Sequence, residues 1–168
     1  SNITSGGLGT MGFALPAAMG AKMGAMEREV VAVIGDGGYQ MTIQELGTIF
    51  QLQIPVKIVI LNNDFLGMVR QWQQLFFDKR YASTEMINPD FVTIAKGYYI
   101  DSERVKNRKD LKPAVERMIK SKKPYVLEVC VEKEDNVFPM IPSGASVEEM
   151  IIDAPKTNTK LEKPKGST

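Results

Sequence analysis

The stretch that decides the fold of this chain is Val30-Val31-Ala32-Val33-Ile34-Gly35-Asp36-Gly37-Gly38. Its first five residues are apolar and mostly β-branched, which is typical of a strand in a parallel sheet that is covered on both faces. Glycines then flank Asp36 on both sides, and glycine permits a tight turn and a close approach of backbone N–H groups to a phosphate. The stretch therefore predicts a buried strand that ends in a loop with one carboxylate.

A second strand is predicted over residues 54–61, where the turn-forming pair Asn62-Asn63 stops it. One helix lies between the two strands, and a capping box of Thr42 and Glu45 predicts its start. Because right-handed crossovers place such parallel strands side by side, the loops that follow them meet at one edge of the sheet. An Asp and an Asn oxygen can there reach one Mg²⁺ ion, which prefers oxygen ligands. Taken alone, Gly-Asp-Gly is also compatible with a plain turn.

The rest of the chain continues the alternation of helices and strands. The pattern predicts helices over 13–26, 67–77, 88–95 and 111–119, and strands near 98–105 and over 124–131. This alternation indicates an α/β fold, an open, mostly parallel sheet with helices on both faces. One domain is expected over residues 1–155, and the tail 156–168, rich in Lys, Thr and Pro, is expected to be disordered.

The composition excludes several classes of function. The 168 residues include 21 Lys and Arg against 20 Asp and Glu, so no concentrated basic face for nucleic acid or an anionic membrane is expected. The absence of histidine excludes a Ser-His-Asp triad, a histidine base and histidine-ligated metals within this chain. The single cysteine, Cys130, excludes an internal disulfide and cysteine-pair metal sites. Chemistry here must rest on carboxylates, amides, backbone groups or a bound cofactor.

The first residues predict neither a membrane anchor nor a signal peptide. No run of 18 apolar residues exists, and Ser1 to Ser5 has neither a basic nor an apolar region. A cytoplasmic location is therefore expected. A glycine-rich loop over residues 6–12 begins almost at once, which favours a fragment of a longer protein.

Four further segments carry a resemblance to a known family. They are Ser5-Gly6-Gly7-Leu8-Gly9-Thr10-Met11-Gly12-Phe13, Leu66-Gly67-Met68-Val69-Arg70-Gln71-Trp72, Asn136-Val137-Phe138-Pro139-Met140-Ile141-Pro142 and Glu149-Met150-Ile151. Together with Gly-Asp-Gly and Asn-Asn at their spacing, they resemble the large subunits of acetohydroxyacid (acetolactate) synthases, which are thiamine-diphosphate enzymes. The resemblance covers residues 4–153. It implies that the chain is the C-terminal, cofactor-binding domain of a longer enzyme.

The resemblance also implies which residues hold the cofactor and its metal ion. Mg²⁺ is expected on the side chains of Asp36 and Asn63 and on the backbone carbonyl of Phe65. Thiamine diphosphate is expected to contact Gly9, Met11, Gly35, Asp36, Gly37, Gly38, Asn63, Phe65, Leu66, Gly67 and Met68, with Met11 supporting a bent cofactor. The substrate channel is expected to be lined by Met68, Val69 and Trp72.

Some of these residues also have a plainer interpretation. Met11 and Met68 are compatible with methionines that fill a core. Trp72 lies four residues after Met68, which is also the spacing of an apolar helix stripe. Arg70 is compatible with a surface charge or with a pocket residue, and the sequence does not separate the two.

The family implies an activity for the whole enzyme. Pyruvate would be decarboxylated and its two-carbon unit joined to pyruvate or 2-oxobutyrate, for the biosynthesis of valine, leucine and isoleucine. FAD, mostly on an absent domain, a regulatory small subunit and a homodimer or higher oligomer are implied as well. Two alternatives stay open: another thiamine-diphosphate-dependent 2-oxo-acid decarboxylase or carboligase, and a non-catalytic diphosphate-binding module.

The chain alone is expected to have little or no activity. In the family, the glutamate that protonates the aminopyrimidine ring of the cofactor belongs to a partner subunit, so no catalytic residue is expected here. The small residues of the helix over 13–26 permit close helix contact, and apolar patches favour association. The sequence therefore predicts that the chain forms a dimer through this helix.

Overall fold

The computed structural model describes residues 1–153, which form two compact units. The first unit consists of Ser1–Asp64 and Ile87–Val131. The second unit consists of Phe65–Met86 and the described residues from Glu132 onward. The tail 156–168, expected to be disordered, lies outside the described residues.

The first unit is built on a parallel sheet. Its strands are β1 (Val31–Gly35), β2 (Lys57–Asn62), β3 (Asp101–Val105) and β4 (Tyr125–Cys130). In the described part of the chain they lie in the order β1-β2-β4-β3, and every neighbouring pair is parallel. The predicted parallel α/β sheet is therefore confirmed.

Six α-helices accompany these strands within residues 1–153. They are α1 (Ala14–Gly24), α2 (Asp36–Met41), α3 (Glu45–Leu52), α4 (Gly67–Phe76), α5 (Phe91–Gly97) and α6 (Arg108–Lys120), of which α4 belongs to the second unit. The side chain of Asp90 caps α5 by accepting a hydrogen bond from the backbone N–H of Thr93 at 2.9 Å. No helix within residues 1–153 combines the length and the apolar character needed to cross a bilayer.

Two apolar cores lie on opposite faces of the sheet. The larger one packs side chains of α1, α3 and α5 against Ala32, Ile34, Ile58 and Ile60 of the strands. The smaller one packs Ala114 and Met118 of α6 against strands β3 and β4. Helices thus cover both faces, as the sequence predicted, because alternate residues of each strand point to opposite sides.

Strand β1 departs from the expectation of burial on both faces. Val31 is 42% exposed and Val33 is 59% exposed, whereas Ala32 and Ile34 between them are buried. In the described residues β1 lies at one edge of the sheet. Helix α6 packs on β3 and β4, which lie toward the opposite edge. A run of β-branched residues predicts a strand, but it does not predict whether a helix covers each face.

Two local predictions after β1 are wrong. Asp36 and the glycines after it do not form a loop, because they open helix α2. Thr42 does not cap α3, whose N-cap is Gln44; its hydroxyl instead donates to the backbone carbonyl of Gly12 at 3.2 Å. In both cases tertiary contacts outweigh the local preference of the residue type.

The second unit is organised around α4. Arg70 is fully buried, and its guanidinium donates to Gln74 Oε1 at 3.0 Å and to Asn136 Oδ1 at 2.7 Å. Gln71, 1% exposed, donates to the backbone carbonyl of Val137 at 2.9 Å. Of the two alternatives for Arg70, the surface charge is therefore wrong.

Candidate functional site

The candidate site begins where β1 and β2 end. Gly35, the last residue of β1, is in register with Leu61, so Asp36 and Asn62 follow at neighbouring positions on the same sheet edge. This is the adjacency of the two strand ends that the crossover rule predicted. It arises from backbone hydrogen bonding alone and brings two polar side chains together.

Asp36 is almost completely buried, with 2% of its surface exposed. Its Oδ1 accepts from the backbone N–H of Gly37 at 2.9 Å, and its Oδ2 accepts from the backbone N–H of Asp64 at 2.9 Å. Burial raises the pKa of the Asp36 carboxyl above its ordinary value, while these hydrogen bonds and one from Asn88 act in the opposite direction. The carboxylate is thus held in a fixed orientation in a poorly solvated place.

Asn88 stands at the centre of the polar cluster. Its Nδ2 lies 2.7 Å from Asp36 Oδ2, 2.9 Å from Asn62 Oδ1 and 3.1 Å from Asp64 Oδ1. Its Oδ1 accepts from Gln40 Nε2 at 2.7 Å. The sequence pattern predicted Asn88 only at the start of a helix, because it is distant in the chain from both strand ends.

Asn62 is oriented by a second buried carboxylate. Its Nδ2 donates to Glu128 Oε1 at 2.8 Å, and its Oδ1 accepts from the backbone N–H of Asp64 at 3.1 Å. Glu128, 1% exposed, also accepts from Arg104 Nε at 2.7 Å. A continuous chain of polar contacts therefore runs from Arg104 on β3 to Asp36. The sequence placed Glu128 in a strand without a role, although a lone carboxylate among buried residues was a usable signal.

Two of the predicted metal ligands lie beyond this cluster in the chain. Asn63 is half-buried and directly follows β2. Phe65 begins the second unit, where it forms a bridge with Glu85 and where the guanidinium carbon of Arg70 lies 5.7 Å from the centre of its ring. The ligand set of Asp36, Asn63 and Phe65 stays a prediction.

The glycine-rich loop packs against α2. Gly12 has a φ of +85°, and a Cβ atom there would lie 3.1 Å from Met41 Cβ, so both backbone and space require glycine. A Cβ atom on Gly38 would lie 3.3 Å from Ile34 Cγ1 and 3.8 Å from the backbone nitrogen of Gly12. The loop and the start of α2 thus lie close together with no side chain between their backbones. Backbone N–H groups in such a place can hold a phosphate group.

Met11 and two of the three predicted channel residues are largely accessible. Met11 is 45% exposed, and Met68 and Val69 at the start of α4 are 51% and 50% exposed. Trp72 is half-buried and packs against the Phe76 ring, with the ring centres 5.0 Å apart. The core-filling alternative is therefore wrong for both methionines. Leu66 connects the Phe65 bridge to Gly67, the first residue of α4, and its N–H donates to the Thr84 carbonyl at 2.8 Å.

The donor set at the strand ends suits a magnesium ion. Carboxylate and amide oxygens of Asp36, Asn62 and Asp64 converge within 3.1 Å of one atom, Asn88 Nδ2. Within residues 1–153, no group of three or more His, Cys, Asp or Glu side chains could hold a metal. One or two carboxylates that leave room for phosphate oxygens are the usual protein contribution to a Mg²⁺ site, so the residues fit the ion.

Comparisons with known proteins agree with this geometry. Residues 1–129 match the family model of the thiamine pyrophosphate enzyme, C-terminal TPP binding domain. The chain is 47% identical over 150 residues to the acetolactate synthase isozyme 2 large subunit of Escherichia coli, covering 89% of this chain and 27% of that one. It is 45% identical over 152 residues to the mitochondrial acetolactate synthase of Schizosaccharomyces pombe, covering 90% and 23%. The chain thus spans about a quarter of the length of these relatives.

A solved structure supports the same assignment. The thiamine diphosphate-dependent 4-hydroxybenzoylformate decarboxylase of Rhodococcus jostii RHA1 matches with a TM-score of 0.71 and 32% identity. The match covers 76% of this chain and 24% of that one. The fold and the polar cluster at the strand ends agree with the matching family model. This chain therefore belongs to the family of C-terminal TPP-binding domains of thiamine pyrophosphate (thiamine diphosphate) enzymes.

Proposed function

We propose that this chain is the part of an acetolactate synthase that binds thiamine diphosphate with Mg²⁺. The observation that carries the proposal is the buried Asp36 carboxylate at the end of β1, beside the end of β2, which Asn63 directly follows. In open α/β sheets, ligands bind at the carboxyl ends of the strands. The similarity to acetolactate synthases supports the choice of cofactor.

The residues of the strand ends would hold the diphosphate through the metal ion. Asp36 and Asn63 would bind Mg²⁺ through side chains, and Phe65 through its carbonyl. Held there, Mg²⁺ would supply the positive charge that offsets the repulsion between the Asp36 carboxylate and the diphosphate. The backbone of Gly35, Gly37 and Gly38 would contact the diphosphate as well.

The remaining predicted residues would position the organic part of the cofactor. Gly9, Met11, Leu66, Gly67 and Met68 would contact it, and the exposed side chain of Met11 is free to support its bent form. When bound, thiamine diphosphate supplies the electron sink that stabilises the carbanion left by decarboxylation of a 2-oxo acid.

Substrate access would involve the start of α4. Met68, Val69 and Trp72 would line the channel, and the high exposure of Met68 and Val69 supports this role. No catalytic acid or base is assigned to the chain, since the glutamate that acts on the aminopyrimidine would come from a partner subunit. The chain alone would therefore show little or no turnover.

The proposed reaction of the whole enzyme uses pyruvate twice, or pyruvate and 2-oxobutyrate. The products would be 2-acetolactate or 2-aceto-2-hydroxybutyrate, on the way to branched-chain amino acids. A second candidate is another 2-oxo-acid decarboxylase, and the similarity to a 4-hydroxybenzoylformate decarboxylase favours it. Product analysis of the full-length enzyme with pyruvate, 2-oxobutyrate and aromatic 2-oxo acids separates the two.

Further partners are proposed for the whole enzyme. FAD would bind mostly outside this chain, and a regulatory small subunit is suggested by a relative named as a catalytic subunit. The cytoplasmic location stays a prediction, since some relatives are named mitochondrial or chloroplastic.

A homodimer or higher oligomer is proposed through α1, beside a groove of about 540 Å³ that includes Ala17, Ala21 and the exposed Val31. Light scattering that shows a monomer at high concentration would contradict self-association.

Calorimetric titration of the 168-residue chain tests the cofactor proposal. Thiamine diphosphate is expected to bind in the presence of Mg²⁺ and to lose its affinity in EDTA. ADP with Mg²⁺ is the control ligand, because it offers the same diphosphate without the thiazolium and aminopyrimidine. Equal binding of ADP would support the non-catalytic diphosphate-binding module instead.

A further inference from the structure

The Asn63 bend, residues 62–64, is supported by polar contacts at the end of β2. Asn62 Oδ1 accepts from the backbone N–H of Asp64 at 3.1 Å, so the Asn62 carboxamide spans the residue between them. The same N–H also donates to Asp36 Oδ2 at 2.9 Å. Asp64 has a φ of +56°, a left-handed conformation that side chains seldom adopt without local support. The conformation of the bend therefore depends on how the Asn62 carboxamide is oriented.

Glu128 sets that orientation from the neighbouring strand. It lies on β4 in register with Ile60, two residues before Asn62, so the Glu128 and Asn62 side chains lie on the same face of the sheet. Its Oε1 accepts from Asn62 Nδ2 at 2.8 Å. With the carboxamide nitrogen bound there, the Asn62 oxygen faces the Asp64 N–H. The Nδ2 of Asn88 also donates to this oxygen, at 2.9 Å.

Arg104 fixes the carboxylate of Glu128. Its Nε donates to Glu128 Oε2 at 2.7 Å, so the two carboxylate oxygens have separate donors. Glu128 is 1% exposed, and a carboxylate in such a place is costly unless charged and polar partners satisfy it. The guanidinium therefore compensates the buried charge, and the other oxygen is a fixed acceptor for Asn62.

The bend carries one of the metal ligands of the proposed function. Asn63 lies between the two residues that the side-chain hydrogen bond of Asn62 joins. Groups that orient metal ligands without touching the ion typically change metal affinity by about 10- to 100-fold when they are removed. A contact that fixes the Asn63 bend is therefore expected to change the affinity for the ion.

We propose that Glu128 is a positioning residue, which acts through Asn62 to hold the bend in the conformation that presents the Asn63 side chain to Mg²⁺. The inference rests on the proposed function, because that function makes Asn63 a ligand of the ion. Glu128 needs no contact of its own with the ion or with the cofactor. Its effect passes through the Asn62 carboxamide to the backbone N–H of Asp64.

Glu128→Gln tests this role with almost no change in the shape of the side chain. A carboxamide offers one oxygen and one NH₂ group, so it cannot accept hydrogen bonds from both Asn62 and Arg104. The charged guanidinium forms the stronger hydrogen bond and should keep the oxygen. The Asn62 carboxamide then loses its acceptor and is free to turn away from the Asp64 N–H.

Two measurements follow the metal site and the bend separately. Mg²⁺ is titrated by calorimetry at a saturating concentration of thiamine diphosphate, and hydrogen exchange of the Asp64 amide is measured in EDTA. Glu128→Gln should bind Mg²⁺ about tenfold more weakly, as expected when a group that orients a metal ligand is lost. The Asp64 amide should exchange about fivefold faster, because the bend that protects it opens more easily.

Glu103→Gln is the matched control. Glu103 also accepts from an arginine and from a second donor, with Arg117 Nη2 2.6 Å from its Oε2 and the Tyr125 hydroxyl 2.7 Å from its Oε1. It is in register with the residue before Glu128, so it lies on the other face of the sheet. This substitution should lower the unfolding midpoint but leave the Mg²⁺ titration and the exchange of the Asp64 amide unchanged.

A double-mutant cycle tests whether Glu128 acts through Asn62. Asn62→Ala removes the carboxamide while the pair of Glu128 and Arg104 remains, and it should also weaken Mg²⁺ binding about tenfold. In the Asn62→Ala background, Glu128→Gln should change the Mg²⁺ affinity by less than about twofold, because the link is already absent. If Glu128→Gln does not fold, Asn62→Ala decides alone. An unchanged Mg²⁺ affinity in Asn62→Ala would then overturn the inference, and a weaker one would support it.

The outcomes separate this inference from the proposed function. A wild-type chain that shows no response to Mg²⁺ with thiamine diphosphate would overturn the proposed function and the inference with it. A wild-type response that Glu128→Gln leaves unchanged would overturn the role of Glu128 alone. Additive effects of Glu128→Gln and Asn62→Ala would do the same, since residues that act independently add. Weaker Mg²⁺ binding, faster exchange of the Asp64 amide and a non-additive cycle would support it.

Discussion

The two ends of strand β2 bury polar groups in different ways. At its first residue, Lys57 is fully buried and its Nζ donates to the backbone carbonyls of Ser121, at 2.8 Å, and Lys123. At its last residue, Asn62 joins a cluster in which oxygens surround the amide of Asn88. One end therefore contains a cation with its acceptors, and the other contains the Asp36 carboxylate, which accepts hydrogen bonds from neutral amides.

This difference separates a structural polar cluster from a binding site. Burial lowers the pKa of the Lys57 ammonium, yet the chain itself supplies the carbonyl oxygens that satisfy it. At the carboxyl end, the groups that donate to the buried Asp36 carboxylate are neutral: the backbone N–H groups of Gly37 and Asp64 and the side-chain amide of Asn88. A buried carboxylate whose donors are neutral identifies the end of β2 that is suited to a cation.

Replacing Asp36 tests the carboxyl end most severely. Asp36→Ala should lower the affinity for thiamine diphosphate in Mg²⁺ at least about 100-fold, or about 2.7 kcal/mol. Without the carboxylate, the ion would be held only by neutral oxygens opposite two anionic phosphates. Calorimetric titration of wild type and variant at one Mg²⁺ concentration measures the change.

Asn63→Ala is the comparison for this loss. It removes a neutral ligand that water can partly replace, so its effect should stay below about tenfold. If Asp36→Ala bound the cofactor as well as wild type, the metal assignment at the carboxyl end would be wrong. An effect of Asn63→Ala equal to that of Asp36→Ala would contradict the argument from charge.

Replacing Lys57 tests the amino end. Lys57→Met keeps the apolar stem but leaves the Ser121 and Lys123 carbonyls without their buried donor. The free energy of unfolding should fall by about 2 kcal/mol, as expected when buried acceptors lose their partner. Urea unfolding in EDTA measures this loss.

The Mg²⁺ response separates the two ends in the same variant. Lys57→Met should keep the wild-type Mg²⁺ titration, because it alters the opposite end of β2. Lys112→Met is the matched control on an exposed side chain and should change stability by less than about 0.5 kcal/mol. A weakened Mg²⁺ response in Lys57→Met would break the separation between a structural end and a binding end.

Most of the fold could be predicted from local patterns. Runs such as Val30–Ile34 and 54–61 predicted strands, and their order along the chain predicted a parallel sheet. The conformation of Asp36-Gly37-Gly38 could not be predicted, because glycine usually opposes helix and only the packed surroundings hold α2 in place. The exposure of Val31 and Val33 also depends on which elements cover the sheet, a property that no single strand contains.

The candidate site was only partly predictable for a related reason. Asp36 and the pair Asn62-Asn63 follow strands, so their approach could be derived from topology. Asn88 and Glu128 reach the same cluster from distant segments, and their contacts depend on the tertiary structure. Sequence spacing identifies residues at strand ends, but it does not identify the side chains that orient them.

Tyr125 provides a further probe of the amino end. It begins β4, in register with Lys57, and its hydroxyl donates to Glu103 Oε1 at 2.7 Å. Arg117 donates to the same carboxylate, with its terminal nitrogen 2.6 Å from Glu103 Oε2. Burial, together with the hydrogen bond to Glu103, raises the pKa of the Tyr125 phenol to about 12. At the amino end, the hydrogen bonds of the buried polar groups are thus satisfied by donors and acceptors of the chain itself.

The phenol predicts a small loss of stability in alkaline solution. Between pH of about 10 and 12 the unfolded state has released the Tyr125 proton while the folded state keeps it, so stability falls as the pH rises. Tyr125→Phe should lower the unfolding free energy at pH 8 by about 0.5–1 kcal/mol and flatten the decline above pH of about 10. Urea unfolding at several pH values measures both effects, with Tyr99→Phe, at a side chain 82% exposed, as the control. If the free energy of unfolding of Tyr125→Phe fell above pH of about 10 as steeply as that of the wild type, the hydrogen bond to Glu103 would not contribute to the stability of this end.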